Sequence, residues 1–219
     1  MIELPLFPLG TVLFPGMPLN LHIFEERYKT MINLCVKENR PFGVVLIAQG
    51  HEALGPLAEP HLVGCTAQIT QIQPLRQGQM HITAIGRERF QIRELVHDRP
   101  YLVGHVDMYP LEEESAEAIK RGSLRLRRWV QRYLKALEEA GQVQFDEKKL
   151  PSDPKALAYL GAVILQQVTS EQKQSLLESP RSTAMIEQLC KLYRREVTLL
   201  EAMLSPPDTV QNDSPFSSN

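Results

Sequence analysis

Three side-chain types in this sequence could carry covalent or metal chemistry: histidine, cysteine and carboxylate. The six histidines show no H-E-x-x-H spacing, and they form no compact group with cysteine that would suit zinc. They are His22, His51, His61, His81, His97 and His105. Three of them (22, 81 and 105) alternate with apolar neighbours, so we expect them on outer strand faces or at the rim of a sheet. The sequence therefore predicts no metal site and no cofactor.

The positions of the cysteines, and of the glutamates that are neighbours in sequence, indicate structural roles for both. Cys35 and Cys190 occupy apolar positions of predicted helices and Cys65 lies in a predicted strand, so we interpret all three as buried thiols. Their odd number and wide spacing fit a reducing compartment. Glutamates 25–26 and 112–114 stand at predicted helix starts, where acidic side chains favour the positive end of the helix dipole. We therefore predict a protein without catalytic residues; a hydrolase stays open as an alternative and would require a cleft that joins a nucleophile to a base.

One predicted helix carries a basic stripe, opposite an apolar face that contains Trp129, Tyr133 and Leu137. The stripe consists of Arg121, Arg125, Arg128, Arg132 and Lys135. RNA is one partner that such a stripe could bind. However, no aromatic side chain interleaves it for base stacking, and the formal net charge of the chain is -2. We favour a solvated face paired with nearby glutamates and keep RNA binding through residues 120–135 as the alternative.

The elements that must position these residues fall into two parts that meet near residue 110. In residues 1–110, β-branched and aromatic residues alternate with polar ones, which predicts six or seven short strands and one early helix. Residues 111–204 consist mostly of helix formers, with helix-start signals at Asp153-Pro154 and at the Thr169 and Gln172 spacing. Residues 205–219 are rich in Ser, Pro and Asn and are predicted to be disordered. Strands followed by helices indicate an α+β fold.

No segment suggests export or membrane insertion. Pro5, Pro8 and Pro15 interrupt the apolar start of the chain, and no apolar run approaches the roughly 20 residues of a membrane helix. We expect a cytoplasmic protein without a membrane partner. The apolar start itself permits two interpretations: Phe7, Phe14 and Phe24 could form an exposed binding patch or a buried plug at one end of the sheet.

Three segments, in this order, resemble the N-terminal domain of Lon-type proteases. The first reads LPLFPLG from residue 4, then VLFPG from residue 12, and ends as FEERY at residues 24–28. The second reads VGCTA at residues 63–67, and the third reads IGRERF at residues 85–90. The resemblance covers about residues 2–204 and implies a PUA-like β pseudo-barrel over residues 1–110, followed by a helical bundle. The chain looks like a stand-alone version of that domain.

This resemblance implies recognition of unfolded or extended polypeptide, or of another protein, without chemistry. The sequence contains neither the G-x-x-x-x-G-K-[ST] loop of an ATPase nor the Pro-Ser-Ala-Gly setting of the Lon protease dyad. It also lacks the C-x-x-C pairs of the zinc module in cereblon-like relatives. We expect the partner to lie in a groove between strands and helices, held by apolar contacts and by backbone bonds to a strand edge. The candidate contacts are Phe14, His22, Phe24, Arg27, Tyr28 and Arg89.

Overall fold

The computed structural model describes residues 1–50, 58–141 and 149–204, and within them it has seven strands and five α-helices. The α+β class is confirmed. The strands are β1 (Ile2–Leu9), β2 (Pro18–Ile23), β3 (Phe42–Gln49), β4 (Glu59–Pro60), β5 (Val63–Pro74), β6 (Met80–Val96) and β7 (Leu102–Met108). The helices are α1 (Glu26–Lys37), α2 (Ala116–Glu139), α3 (Pro154–Ile164), α4 (Ser170–Glu178) and α5 (Ser182–Leu204). His51 and the predicted disorder of residues 205–219 lie outside the described residues.

Five of the strands pair in a closed ring. β1 pairs with β7, β7 with β6, β6 with β5 and β5 with β3, all antiparallel, and β3 returns to β1 in parallel. β6 is 17 residues long and pairs with β5 along one side. Along its other side it pairs first with β2 and then with β7. β2 therefore lies outside the ring.

β1 is longer than its sequence indicates. The sequence predicts a strand over residues 2–6 followed by a turn at Phe7-Pro8-Leu9-Gly10, whereas the strand continues to Leu9. Residues 6–9 pair in parallel with residues 43–46 of β3. Proline removes a backbone donor but keeps an extended conformation, so a strand tolerates it where no ladder bond needs its N–H.

The helix-start signals are confirmed, with one correction. The Asp153 side chain accepts a bond from Ala156 N at 2.7 Å, and Thr169 and Gln172 form a reciprocal capping box. The acidic run 112–114, however, does not open α2, which begins at Ala116. Glu114 instead accepts bonds from the backbone N–H, at 3.1 Å, and the hydroxyl of Thr183 in the first turn of α5. This carboxylate therefore stabilises the start of a different helix from the one predicted.

Phe14 and Arg89 join the strands to the helices. Phe14 is fully buried in the apolar cluster formed mainly by α2–α5, with its ring centroid 6.2 Å from that of Tyr159. Arg89, on β6, is 3% exposed, and its Nη1 donates bonds of 2.6 Å to both Leu177 O and Ser179 O. Its guanidinium also lies 4.8 Å from the ring centroid of Tyr109. One buried cation thus binds the carbonyl end of α4 to the ring of strands.

We predict that Arg89→Met lowers the free energy of unfolding by about 2 kcal/mol, because it leaves two buried carbonyls without a donor. Burial already lowers the pKa of Arg89, which shows that desolvation opposes its charge, so the loss should be smaller than the sum of two charged bonds. Urea unfolding followed by circular dichroism measures the change. Arg87→Met, at an exposed position of the same strand, is the control and should stay within about 0.5 kcal/mol of the wild type. Equal stability of the two variants would contradict the role given to Arg89.

Candidate functional site

A bulge sets the register of β2 against β6. Gly16 N donates to Gly86 O at 2.8 Å, and Gly86 N donates to Met17 O at 2.9 Å, so two residues face one. Gly16 has a φ of +80°, which glycine adopts without strain. A Cβ on Gly86 would lie 2.3 Å from Phe14 O, so the close approach of the two segments also requires glycine. The bulge therefore fixes which groups of β2 face β6.

The alternation of the antiparallel ladder leaves β2 with an open outer edge. Counting from the bulge, Leu19, Leu21 and Ile23 form the hydrogen-bonded pairs with β6. The backbone N–H and C=O groups of Asn20 and His22 consequently point away from β6. Within the described residues β2 pairs with no other strand, and both Asn20 and His22 are exposed. An unpaired edge of this kind is a template on which another extended chain can add.

An aromatic depression of about 280 Å³ lies beside this edge, between β2, the end of β1 and the start of α1. Phe7 and Tyr28 form part of its lining, with ring centroids 4.0 Å apart and planes 10° apart. Both rings are almost fully buried, whereas Phe24 at the rim is 43% exposed. The depression thus combines a rigid apolar floor with a solvent-exposed aromatic ring.

Arg27 braces the depression from the side of α1. Its Nη2 lies 3.0 Å from the Glu25 carboxylate, and its guanidinium lies 4.8 Å from the ring centroid of Tyr28. The side chains of Arg27 and Glu25 are only 14% and 15% exposed. This ion pair neutralises both charges next to the aromatic floor and holds the ring of Tyr28 in place.

The structure separates the six predicted contacts into two groups. His22, Phe24, Arg27 and Tyr28 come together around the edge of β2, as just described. Phe14 and Arg89 are buried at the boundary of strands and helices, which corrects the expectation that they contact a partner directly. Gln174 Nε2 also donates to Val63 O at 2.9 Å across the same boundary. The sequence analysis did not select Asn20. Its position between the more buried Leu19 and Leu21 indicates that it lies on the exposed face of β2.

The basic stripe on α2 is exposed at all five positions, and part of it is paired. Arg132 binds both carboxylate oxygens of Glu201 at 2.6 Å, and Lys135 lies 3.9 Å from Glu139. The hydrogen bond from Arg132 lowers the pKa of Glu201. Arg121 and Arg125 line a hollow that also contains the Glu187 carboxylate. These contacts agree with a solvated face in which glutamates offset part of the positive charge.

The three cysteines are buried and unpaired. Burial raises the pKa of Cys35 to about 11 and that of Cys65 to about 12, and it also raises the pKa of Cys190. Across residues 1–50, 58–141 and 149–204, no group of three or more His, Cys, Asp or Glu side chains is placed to hold a metal ion. In the same part of the chain, no helix is both long enough and apolar enough to cross a membrane.

The fold and the site define an α+β protein in which a ring of strands carries β2 as an additional strand beside an aromatic depression. The family model of the ATP-dependent protease La (LON) substrate-binding domain matches residues 3–195. The chain belongs to this family, which confirms the resemblance of its three sequence motifs.

Known relatives agree with this assignment. The chain is 25% identical over 201 residues to Lon protease 2 of Myxococcus xanthus and 24% identical over 203 residues to a Lon protease of Anaeromyxobacter dehalogenans. These alignments cover 90% of this chain but 24% of each relative, so the chain spans about a quarter of the length of the curated relatives it matches.

Two solved structures have a similar fold. The Lon N-terminal domain protein from Xanthomonas campestris has a TM-score of 0.61 and 25% identity, with 87% of this chain and 98% of that chain covered. The N-terminal domain of the Mycobacterium avium complex Lon protease has a TM-score of 0.67 and 20% identity, with 88% and 98% covered. None of these comparisons supports the RNA-binding alternative.

The buried thiols predict slow chemical modification of the native protein. A rise in pKa from 9.0 to about 11 reduces the thiolate fraction of Cys35 about 100-fold near neutral pH, and burial adds a steric barrier. We expect iodoacetamide to label Cys35 and Cys65 at least about 100-fold more slowly in the native chain than in the chain unfolded in urea, with peptide mass spectrometry as the readout. The native rate at Cys35 and Cys65 should keep rising with pH, about tenfold per unit, up to the raised pKa values, because it follows the thiolate fraction. A cysteine that reacts equally fast in both states would reveal an accessible nucleophile and reopen the hydrolase interpretation.

Proposed function

We propose that this chain binds an extended segment of polypeptide along the outer edge of β2 and performs no chemistry on it. The open edge beside the aromatic depression is the observation that carries this proposal. Membership in a family described as a substrate-binding domain supports it. Some relatives of this chain are Lon proteases, and a protease acts on polypeptide. We therefore expect polypeptide to be the ligand of this chain.

Strand addition explains how one site could accept many sequences. The outward N–H groups of Asn20 and His22 would donate to carbonyls of the bound segment, and their C=O groups would accept from its N–H groups. Each such bond contributes about 1 kcal/mol net, whatever side chains the segment carries. Because an unfolded segment offers free backbone groups and a folded protein does not, this mode favours unfolded polypeptide.

The aromatic depression would add a preference for apolar side chains. At about 280 Å³ it is smaller than the pockets of about 300–1,000 Å³ that hold drug-sized molecules, and it suits one large apolar side chain. Burying such a side chain against Phe7, Phe24 and Tyr28 contributes about 1.5–3 kcal/mol. Backbone bonds and one anchored side chain together give a binding site of modest affinity and broad specificity.

We also propose that the chain is divided into two subdomains. We infer that the ring of strands is the PUA-like pseudo-barrel of residues 1–110 and that residues 111–204 form a helical bundle subdomain. A buried cluster built mostly from α2–α5 supports this division, with Phe14 of the β1–β2 connection and Val63 of β5 as its buried members from residues 1–110. The buried, unpaired cysteines support the cytoplasmic location predicted from the sequence.

Asn20→Pro tests strand addition, because proline removes one outward N–H while leaving the bonds between β2 and β6 intact. Asn20→Ala is the matched control, since it removes the same side chain, whose Oδ1 accepts a bond of 2.9 Å from Thr83, but keeps the N–H. Fluorescence anisotropy of labelled, reduced and carboxymethylated α-lactalbumin measures binding of an unfolded polypeptide. We expect Asn20→Pro to weaken binding at least about fivefold relative to Asn20→Ala.

Phe24→Ala completes the experiment by testing the apolar contact. Because Phe24 is partly exposed, the variant should keep its stability and lose affinity for the same probe. Native α-lactalbumin should bind none of the variants. Identical affinities for wild type, Asn20→Pro and Phe24→Ala, or no binding of the unfolded probe to the wild type, would contradict the proposal.

A further inference from the structure

His22 on β2 and His81 on β6 form a pair that their separation in the sequence did not suggest. His22 and His81 stand directly opposite each other in the antiparallel register. They form a non-hydrogen-bonded pair, in which side chains approach most closely. Their ring centroids are 4.9 Å apart and their planes are nearly perpendicular, at 88°. Both side chains are exposed, so an ion in solution can reach them.

We propose that His22 and His81 bind one divalent transition-metal ion of the zinc class. A tetrahedral ion with two imidazole ligands at about 2.0–2.1 Å holds the two nitrogens about 3.3 Å apart. Imidazole rings whose centroids are separated by 4.9 Å can meet this requirement by small rotations about their side-chain bonds. Neutral imidazole is a preferred ligand of Zn²⁺, Cu²⁺ and Ni²⁺, whereas Mg²⁺ and Ca²⁺ prefer oxygen.

Gln79 prepares His22 for this role. The Gln79 side-chain oxygen lies 3.0 Å from His22 Nε2, and an amide oxygen can only accept a hydrogen bond. Nε2 is therefore the protonated nitrogen, and Nδ1 carries the lone pair that a metal ion needs. Metal-binding histidines commonly donate their second N–H to such an acceptor, which fixes both the tautomer and the ring orientation.

Two protein ligands leave the other coordination positions to water. In the part of the chain that the structure describes, no third histidine, cysteine or carboxylate joins the pair. Gln73 lies opposite His81 on β5, so the row His22, His81 and Gln73 crosses three strands on one face. The site resembles open metal sites, in which an exchangeable ligand completes the coordination sphere, more than closed structural ones.

The experiment uses the full chain, labelled with ¹⁵N, and Zn²⁺ alone as the probe. Zn²⁺ is added stepwise at neutral pH while the imidazole signals are followed by NMR, and calorimetry gives the affinity. We expect the signals of His22 and His81 to change together and to saturate at one equivalent. His22→Asn and His81→Asn should each weaken binding at least about tenfold.

His105→Asn is the matched control, because His105 also lies on a strand but pairs with Glu94, at 3.2 Å, instead of with another histidine. It should leave the affinity unchanged, and Mg²⁺ should leave all imidazole signals in place. Simultaneous changes at His97 or His105 and at the pair, or equal Zn²⁺ affinity in His22→Asn and wild type, would overturn the site. No polypeptide is present, so this result is independent of the strand-addition proposal.

Discussion

Closure of the ring is the constraint on which the rest of the structure depends. β1, β3, β5, β6 and β7 each pair with neighbours on both sides, and the parallel pairing of β3 with β1 completes the circle. Closing a sheet removes exposed strand edges, which would otherwise pair with other chains. β6 is longer than its contact with β7 requires, and its first residues pair with β2 instead. The ring thus supports β2, whose outer edge is unpaired within the described residues, and the proposed site lies on that edge.

The residues that carry the family resemblance serve mainly to build this ring and to attach the helices. Gly86 allows Phe14 to approach, Phe90 is fully buried, and Arg89 binds the end of α4. Gly64 similarly leaves no room for a Cβ, which would lie 2.4 Å from Val44 O. These motif residues meet packing and hydrogen-bonding requirements at particular positions of this fold. Of the proposed ligand contacts, Asn20 and His22 lie between two parts of the first motif and are exposed, whereas Phe24 and Tyr28 belong to that motif.

The sequence predicted those features that depend on local spacing. Alternation located most strands, the 3–4 periodicity located α1, and the signals at Asp153 and Thr169 located the starts of α3 and α4. It also predicted the burial of the cysteines. It could not show that β2 is an edge strand or that His22 faces His81, because both facts depend on strand pairing between distant segments. The misassignment of Arg89 has the same origin: its motif position suggested the rim of the barrel, but its partners are carbonyls at the end of α4, 88 and 90 residues away in sequence.

Amide hydrogen exchange at the edge of β2 tests the central claim most directly. In the free protein, the N–H groups of Asn20 and His22 should exchange rapidly, whereas that of Leu21, bonded to β6, should be protected. Adding a saturating amount of an unfolded polypeptide should slow exchange at Asn20 and His22 and leave Leu21 protected. Binding of the polypeptide with no change at Asn20 and His22, and with slower exchange elsewhere on the chain, would contradict the account.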